Sequence, residues 1–433
     1  MKDREPTRVD RRTLLKSGAA LSAAALAPAS FANASPSRSA TRQGGVPAMS
    51  ETIEPFRLAI ADTQLDDLRN RLAHTRWPTP ETVPDTSQGP QLAKIQALCT
   101  YWLERYDWRR CETLLNGFGQ FKTTIDGLGI HFLHIRSVNP DALPLLMCHG
   151  WPGSVLEFRD VIGPLSDPAA HGGNPHDAFH LIIPSMPGYG FSDKPAGAGW
   201  SLDRIADAYV TLIGRLGYKR WAMQGGDLGA AITDTIARKA PAGCIGMHSN
   251  FAMFPPTADE MAAATPDEKA MLASSKYFWD KLSGYAKLQQ TRPQTIGYAL
   301  ADSPVAQASW IYQMFQDTCG TPGNAEASFS LDYMLDDIML YWLPNTGASS
   351  ARLYWEMVQG NWSPPASEAN PIAIPTGFTM TPEEQVRKSR RWIERRYSNL
   401  VHFNELEKGG HFVAMEQPAA FTDEVRKTFS QLR

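Results

Sequence analysis

The sequence predicts an α/β fold built on a mostly parallel, doubly wound sheet with one helical insertion, and three observations carry that reading. Short apolar runs bounded by turn residues, Leu143 to Cys148 and Phe179 to Ile183, alternate with helical patterns, as βαβ units require. That rhythm stops from Phe254 to about Pro344, where helical patterns rich in aromatics replace any apolar strand. It resumes near Ile372 with a strand, a helix near Pro382 to Tyr397, a strand Leu400 to Leu406 and a glycine-bracketed loop, Lys408-Gly409-Gly410-His411-Phe412.

At the N-terminus, Arg11-Arg12-Thr13-Leu14-Leu15-Lys16 precedes a weakly apolar run from Gly18 to Ala27. Ala32-Asn33-Ala34 then offers the small residues that a signal peptidase reads. Residues 1–34 are thus similar to a twin-arginine export signal, which implies a bacterial, periplasmic or secreted protein; a disordered basic tail is the alternative. The apolar run is shorter than the ~20 residues needed to span a bilayer, so no membrane attachment is expected after cleavage. Residues 35–52, rich in Ser, Arg, Gly and Pro, read as linker.

Residues 53–120 form an extension of helical character, with Leu65, Leu68 and Leu72 on one face of a helix running from Ile53 to Trp77-Pro78. Leu92 to Leu103 is a second helix, followed by an aromatic cluster of packing residues around Tyr106 and Trp108. Phe121 to Ser137 reads as a β-hairpin turning at Asp126-Gly127, and opens a core part at 121–253. Within it a helix near Val155 to Leu165 and another from Ser201 to Gly217 flank the strands. Residues 254–345 are the expected lid over the strand ends, and 346–433 the second part of the core.

Length, with 43% hydrophobic and 20% charged residues, fits a globular enzyme, and a net charge of −3 gives no reason to expect a nucleic acid partner. Cys99, Cys111, Cys148, Cys244 and Cys319 are odd in number and scattered, which argues against a disulfide framework and against a zinc site. No oligomeric state follows from the sequence.

The chemistry concentrates at Gln224-Gly225-Gly226-Asp227-Leu228-Gly229, which follows an apolar run and precedes a helical stretch. A strand, a sharp glycine-flanked turn and a helix make a nucleophile elbow, with Asp227 where G-x-S-x-G places serine. An aspartate, with a reference pKa of about 3.9, is already anionic at neutral pH and can attack an sp3 carbon bearing an epoxide oxygen or a halide. The competing reading is an Asp at a helix N-cap. His149-Gly150-Trp151-Pro152 ends a buried strand in a tight loop, which suits half of an oxyanion hole, the Leu228 amide supplying the other half. The imidazole of His149 itself reads as structural. His411 follows the last strand, and chain order demands an acid between it and Asp227: Glu384, with Glu383, Asp336 and Asp337 as rivals. Glu384 could equally be a first-turn glutamate of a helix.

Asp227, the His149-Gly150-Trp151-Pro152 loop, His411 and Glu384 together resemble the microsomal-type epoxide hydrolase family of the α/β-hydrolase fold, over nearly all of the chain from Ile53 and including Tyr106-Asp107-Trp108. The resemblance implies Asp227 as nucleophile, His411 as base, Glu384 as the acid that orients it, and the amides of Trp151 and Leu228 as oxyanion hole. It also implies two lid tyrosines that hold the epoxide oxygen: Tyr285, in Ser283-Gly284-Tyr285, and Tyr354, in Ser350-Ala351-Arg352-Leu353-Tyr354. The expected substrate is a small apolar epoxide, the product a vicinal diol, and no metal or organic cofactor is called for. Leu228 stands where many members carry tryptophan, which changes the pocket wall. Haloalkane dehalogenases are also similar at this site but use that indole to cradle halide and lack the paired tyrosines. A third reading is a hydrolase-fold protein that binds an apolar ligand without turnover.

Overall fold

The structure, a computed structural model, describes residues 51–359 and 371–433; the expected signal and nearly all of the linker lie outside them. Nine strands form one sheet: β1 Glu54–Pro55, β2 Gln120–Ile125, β3 Leu128–Ile135, β4 Leu143–Cys148, β5 Phe179–Pro184, β6 Trp221–Gly225, β7 Cys244–Ser249, β8 Thr376–Met380 and β9 Leu400–Glu405. Their order is β1-β2-β3-β5-β4-β6-β7-β8-β9, antiparallel from β1 to β5 and parallel from β5 to β9. β4, β5 and β6 are buried at every residue, which explains why they read as unbroken apolar runs. The exchange between β5 and β4 reverses the winding and opens a crevice above the C-terminal strand ends, where this fold class binds ligands.

Several elements differ from expectation, and the helices Trp108–Gly117 and Pro418–Ser430 were not foreseen. The first helix begins at Asp62, not Ile53, because Glu54 and Pro55 pair with Lys122 and Phe121 at the sheet edge. β7 was not foreseen: its six residues include Gly246, His248 and Ser249, too polar a run to stand out. The strand expected at Ile372 to Pro375 lies at Thr376–Met380, since Pro371 and Pro375 have no N–H to give to a ladder. The helix expected from Pro382 is confined to Arg390–Arg396. Before it, the backbone bonds elsewhere: Glu383 N–H donates to the Gly409 carbonyl (3.2 Å), and Val386 N–H to Glu384 Oε1 (3.0 Å).

Between β7 and β8 the described chain is helical from Ala258 to Gln359, so the roof over the strand ends continues past 345. Helix Gly347–Gln359 packs on Gly284–Thr291 and Pro293–Asp302. The extension braces this roof from behind. Tyr106 donates to Asp336 Oδ1 (2.7 Å), and Arg110 and Arg159 pair with the same buried carboxylate at 2.7 and 2.9 Å. Among the described residues no helix is long and apolar enough to cross a membrane, and all five cysteines are free thiols.

Candidate active site

β6 ends at Gly225, Gly226 is extended, and Asp227 opens the helix Asp227–Lys239 with φ +47°. That left-handed conformation costs a non-glycine residue about 1–3 kcal/mol and survives only where its surroundings over-determine it. Here they do. A Cβ at Gly229 would fall 1.9 Å from the Cys148 carbonyl oxygen, so glycine alone lets the helix seat against β4. A Cβ at Gly150 would fall 2.3 Å from that of Asp227, so the loop after β4 closes directly over the carboxylate. Trp151 N–H then donates to Asp227 Oδ1 (2.9 Å). The Leu228 amide lies in the first helical turn, where N–H groups have no intrahelical acceptor.

His411 hangs from the loop after β9, with Nε2 3.6 Å from Asp227 Oδ2 and Nδ1 2.6 Å from Glu384 Oε2. Burial alone would lower this imidazole, but the carboxylates of Glu384 and Asp227 overcome it and raise the pKa well above 6.5. Glu384 occupies the irregular segment after β8, so its alternative as a first-turn helical glutamate falls away. Of the rivals, Asp336 is committed to Arg110, Arg159 and Tyr106, and neither Asp337 nor Glu383 lines the cavity shared by Asp227, His411 and Glu384.

Tyr285 and Tyr354 descend from two packed helices of the roof and are buried. Trp151 stacks on Tyr285 (centroids 4.8 Å apart, 14° between planes) and meets Tyr354 edge-on at 5.9 Å. The two phenol rings meet edge-on, with centroids 6.0 Å apart. Burial raises the pKa of both, reinforced by the charge of Asp227, so both remain protonated donors at neutral pH. A cavity of about 410 Å³ is lined by Asp227, Leu228, His411, Glu384 and both tyrosines, and otherwise mainly by apolar groups including Phe251, Phe254, Met271, Phe278 and Trp392. It can hold a small apolar molecule with one oxygen directed at the phenols.

His149 is buried and its pKa is lowered to about 4 by burial, with Nδ1 at 2.9 Å from the Gly150 carbonyl: a neutral ring that shapes the loop. Glu157 escaped the sequence reading. Ser154-x-x-Glu157 has the spacing of a capping box, yet the carboxyl turns back under the loop, within reach of the Gly150 amide. Burial pushes its pKa up to about 8, with His411 opposing that rise and Asp227 adding to it, so a neutral acid underlies the loop. Among the described residues no group of three or more His, Cys, Asp or Glu is placed to hold a metal.

A parallel sheet with an acid at its strand–turn–helix elbow, a histidine–carboxylate pair beyond later strands and a helical roof defines an enzyme of the α/β-hydrolase class. Residues 53–158 match the family described as epoxide hydrolase N terminus, and residues 144–330 that described as alpha/beta hydrolase fold. A Stigmatella aurantiaca protein provisionally named an epoxide hydrolase is 51% identical over 88% of this chain and 86% of its own length. Epoxide hydrolase 1 of Sus scrofa is 33% identical over 87% of this chain and 88% of its own. The crystal structure of juvenile hormone epoxide hydrolase from the silkworm Bombyx mori aligns with a TM-score of 0.82 at 29% identity, covering 89% of this chain and 96% of that one. The chain belongs to the microsomal-type epoxide hydrolase family.

Proposed function

We propose that the protein opens an epoxide to a vicinal diol through an ester on Asp227. The observation that carries this reading is the convergence, in one apolar cavity, of the Asp227 carboxylate, the His411–Glu384 pair and two protonated phenols. With Oδ1 resting on the Trp151 amide, Oδ2 attacks a ring carbon; the new C–O bond forms as the ring C–O bond breaks, and a phenol of Tyr285 or Tyr354 protonates the departing oxygen. Esterification removes the negative charge of Asp227, one of the two that hold the His411 pKa high, so the imidazole becomes a competent base when a base is needed. It takes a proton from water, the hydroxide adds to the ester carbonyl, and the oxyanion is held by the amides of Trp151 and Leu228. Collapse releases the diol and restores the carboxylate, while the proton on His411 returns the phenolate to phenol.

The test follows diol and halide together from matched epoxides and haloalkanes, with a single turnover in ¹⁸O-water. Diol without halide, its first-turnover oxygen unlabelled because it came from Asp227, is expected. Labelled oxygen in that first diol would eliminate the ester, halide alone would turn the reading to dehalogenation, and neither product would leave ligand binding without turnover.

We further propose export by the twin-arginine route, supported by Arg11-Arg12 and Ala32-Asn33-Ala34. Replacing both arginines by lysine should keep the protein in the cytoplasm of a bacterial host; unchanged export would refute it.

A further inference from the structure

The segment from Arg387 to Arg396 carries six cations, and they divide sharply. Four lie on the helix Arg390–Arg396, and each has a carboxylate: Arg390 with Glu394 (2.7 Å), Arg391 with Glu268 (2.6 Å), Arg395 with Glu260 (2.6 Å) and Arg396 with Asp234 (2.8 Å). The other two, Arg387 and Lys388, lie on the irregular stretch before it and line the substrate cavity. Neither forms an ion pair with any described residue. Lys388 is only 4% exposed, and its ammonium makes one long contact, 3.3 Å, to the carbonyl of Arg387. Arg387 Nε is buried without a hydrogen-bond partner.

A lysine at this depth, in a cavity whose lining also includes Trp392 and Phe254, forfeits much of its hydration, and ammonium groups are almost never buried unpaired. Burial lowers its pKa to about 8, with the Glu384 carboxylate opposing the shift, so it is mostly charged at neutral pH. The charges lining the cavity therefore do not cancel. Asp227 and Glu384 supply two negative charges; protonated His411, Arg387 and Lys388 supply three positive ones. One negative charge is missing, in a chamber whose remaining walls are largely apolar.

We propose that Arg387 and Lys388 form an anion-recognising end of the cavity, and that the preferred substrates are epoxides bearing a single carboxylate on an apolar skeleton. This rests on the epoxide-opening reading above and names its substrate class. The carboxylate would accept from Lys388 Nζ and from the guanidinium of Arg387, supplying the missing charge while the oxirane lies between Asp227 and the phenols.

The experiment compares matched pairs: styrene oxide with a para carboxylate against its para carboxamide, and a medium-chain ω-epoxy fatty acid against its amide. The wild type should favour the acid of at least one pair in kcat/KM. In Lys388→Met and Arg387→Met the acid-to-amide ratio should fall by about tenfold or more, chiefly through KM, the size expected for one charge-assisted hydrogen bond. An unmoved ratio, even with both rates reduced, would overturn the proposal and make Lys388 a positioning residue for Glu384. Should the variants not fold, the wild type decides: 3-phenylpropanoate should bind about tenfold or more tightly than 3-phenylpropanamide in calorimetry, and equal affinity would refute the anion site. Failure of the hydrolase reading looks different, because then no epoxide, charged or neutral, is opened, while the calorimetric comparison still reports on the site.

Discussion

The two halves of the active site are held by different means. Asp227, Trp151, Glu384 and His411 are placed by strand ends and by the loops between them, which hydrogen-bond to one another across the crevice. Tyr285 and Tyr354 come from roof helices, with Trp151 as the ring on which both rest. The helix of Tyr354 is also tied to the loop after β5, where Ser349 donates to the Gly188 carbonyl (2.6 Å) and Tyr189 to that of Ser350 (3.1 Å). Asp227 therefore has a backbone address at a strand end, whereas the phenols are placed by helices of the roof.

The largest effect should come from the sheet side. Asp227→Asn should lower immediate diol formation at least about ten-thousandfold, and His411→Gln should trap the ester, visible as an added mass on the intact protein. Undiminished prompt turnover by Asp227→Asn would break the division at its root. On the roof side, the double change Tyr285→Phe and Tyr354→Phe should slow ring opening by about 10²–10⁴ in single-turnover kinetics while leaving the circular dichroism spectrum unchanged. If either single change costs as much as both, the phenols act as one unit.

Bracing is the next test. Asp336→Ala leaves Arg110 and Arg159 without their shared carboxylate and should destabilise the fold by roughly 3 kcal/mol in denaturant titration, with a smaller effect on rate. A loss of rate without a loss of stability would show that the roof is tuned and not merely supported. The smallest effect concerns protons. The His411 pKa is raised, so its contribution to stability is complete below pH 6.5 and is lost as pH rises through the folded value. Asp227→Asn removes one of the two carboxylates responsible, and NMR titration of the His411 ring should find the folded pKa lower than in wild type. An unchanged value would mean that Glu384 alone sets it.

The same division governs what the sequence discloses. The elbow is legible because its requirements are local: an apolar strand, then glycines spaced about one acid. His411 is legible by its position after the last strand, while chain order narrows its partner only to Glu384 and the rivals Glu383, Asp336 and Asp337, with a helix expected around Glu384. That helix fails for a non-local reason, since the amide of Glu383 and the hydroxyl of Thr381 turn to carbonyls of the histidine loop. No periodicity distinguishes Tyr285 from the other aromatics of the insertion; only resemblance does, because which helix face looks down on the strand ends is settled by tertiary packing. Glu157 and Lys388 are hidden for the same reason. Each sits in a pattern that normally faces solvent, a capping box and a basic run, and its burial depends on distant residues.

Trp151 joins the two halves. Its amide donates to Asp227 Oδ1 while its ring stacks on Tyr285 and meets Tyr354 edge-on. A shift of the loop after β4 would therefore move the support of the carboxylate and of the phenols together, so that aligning the two is one adjustment and not two.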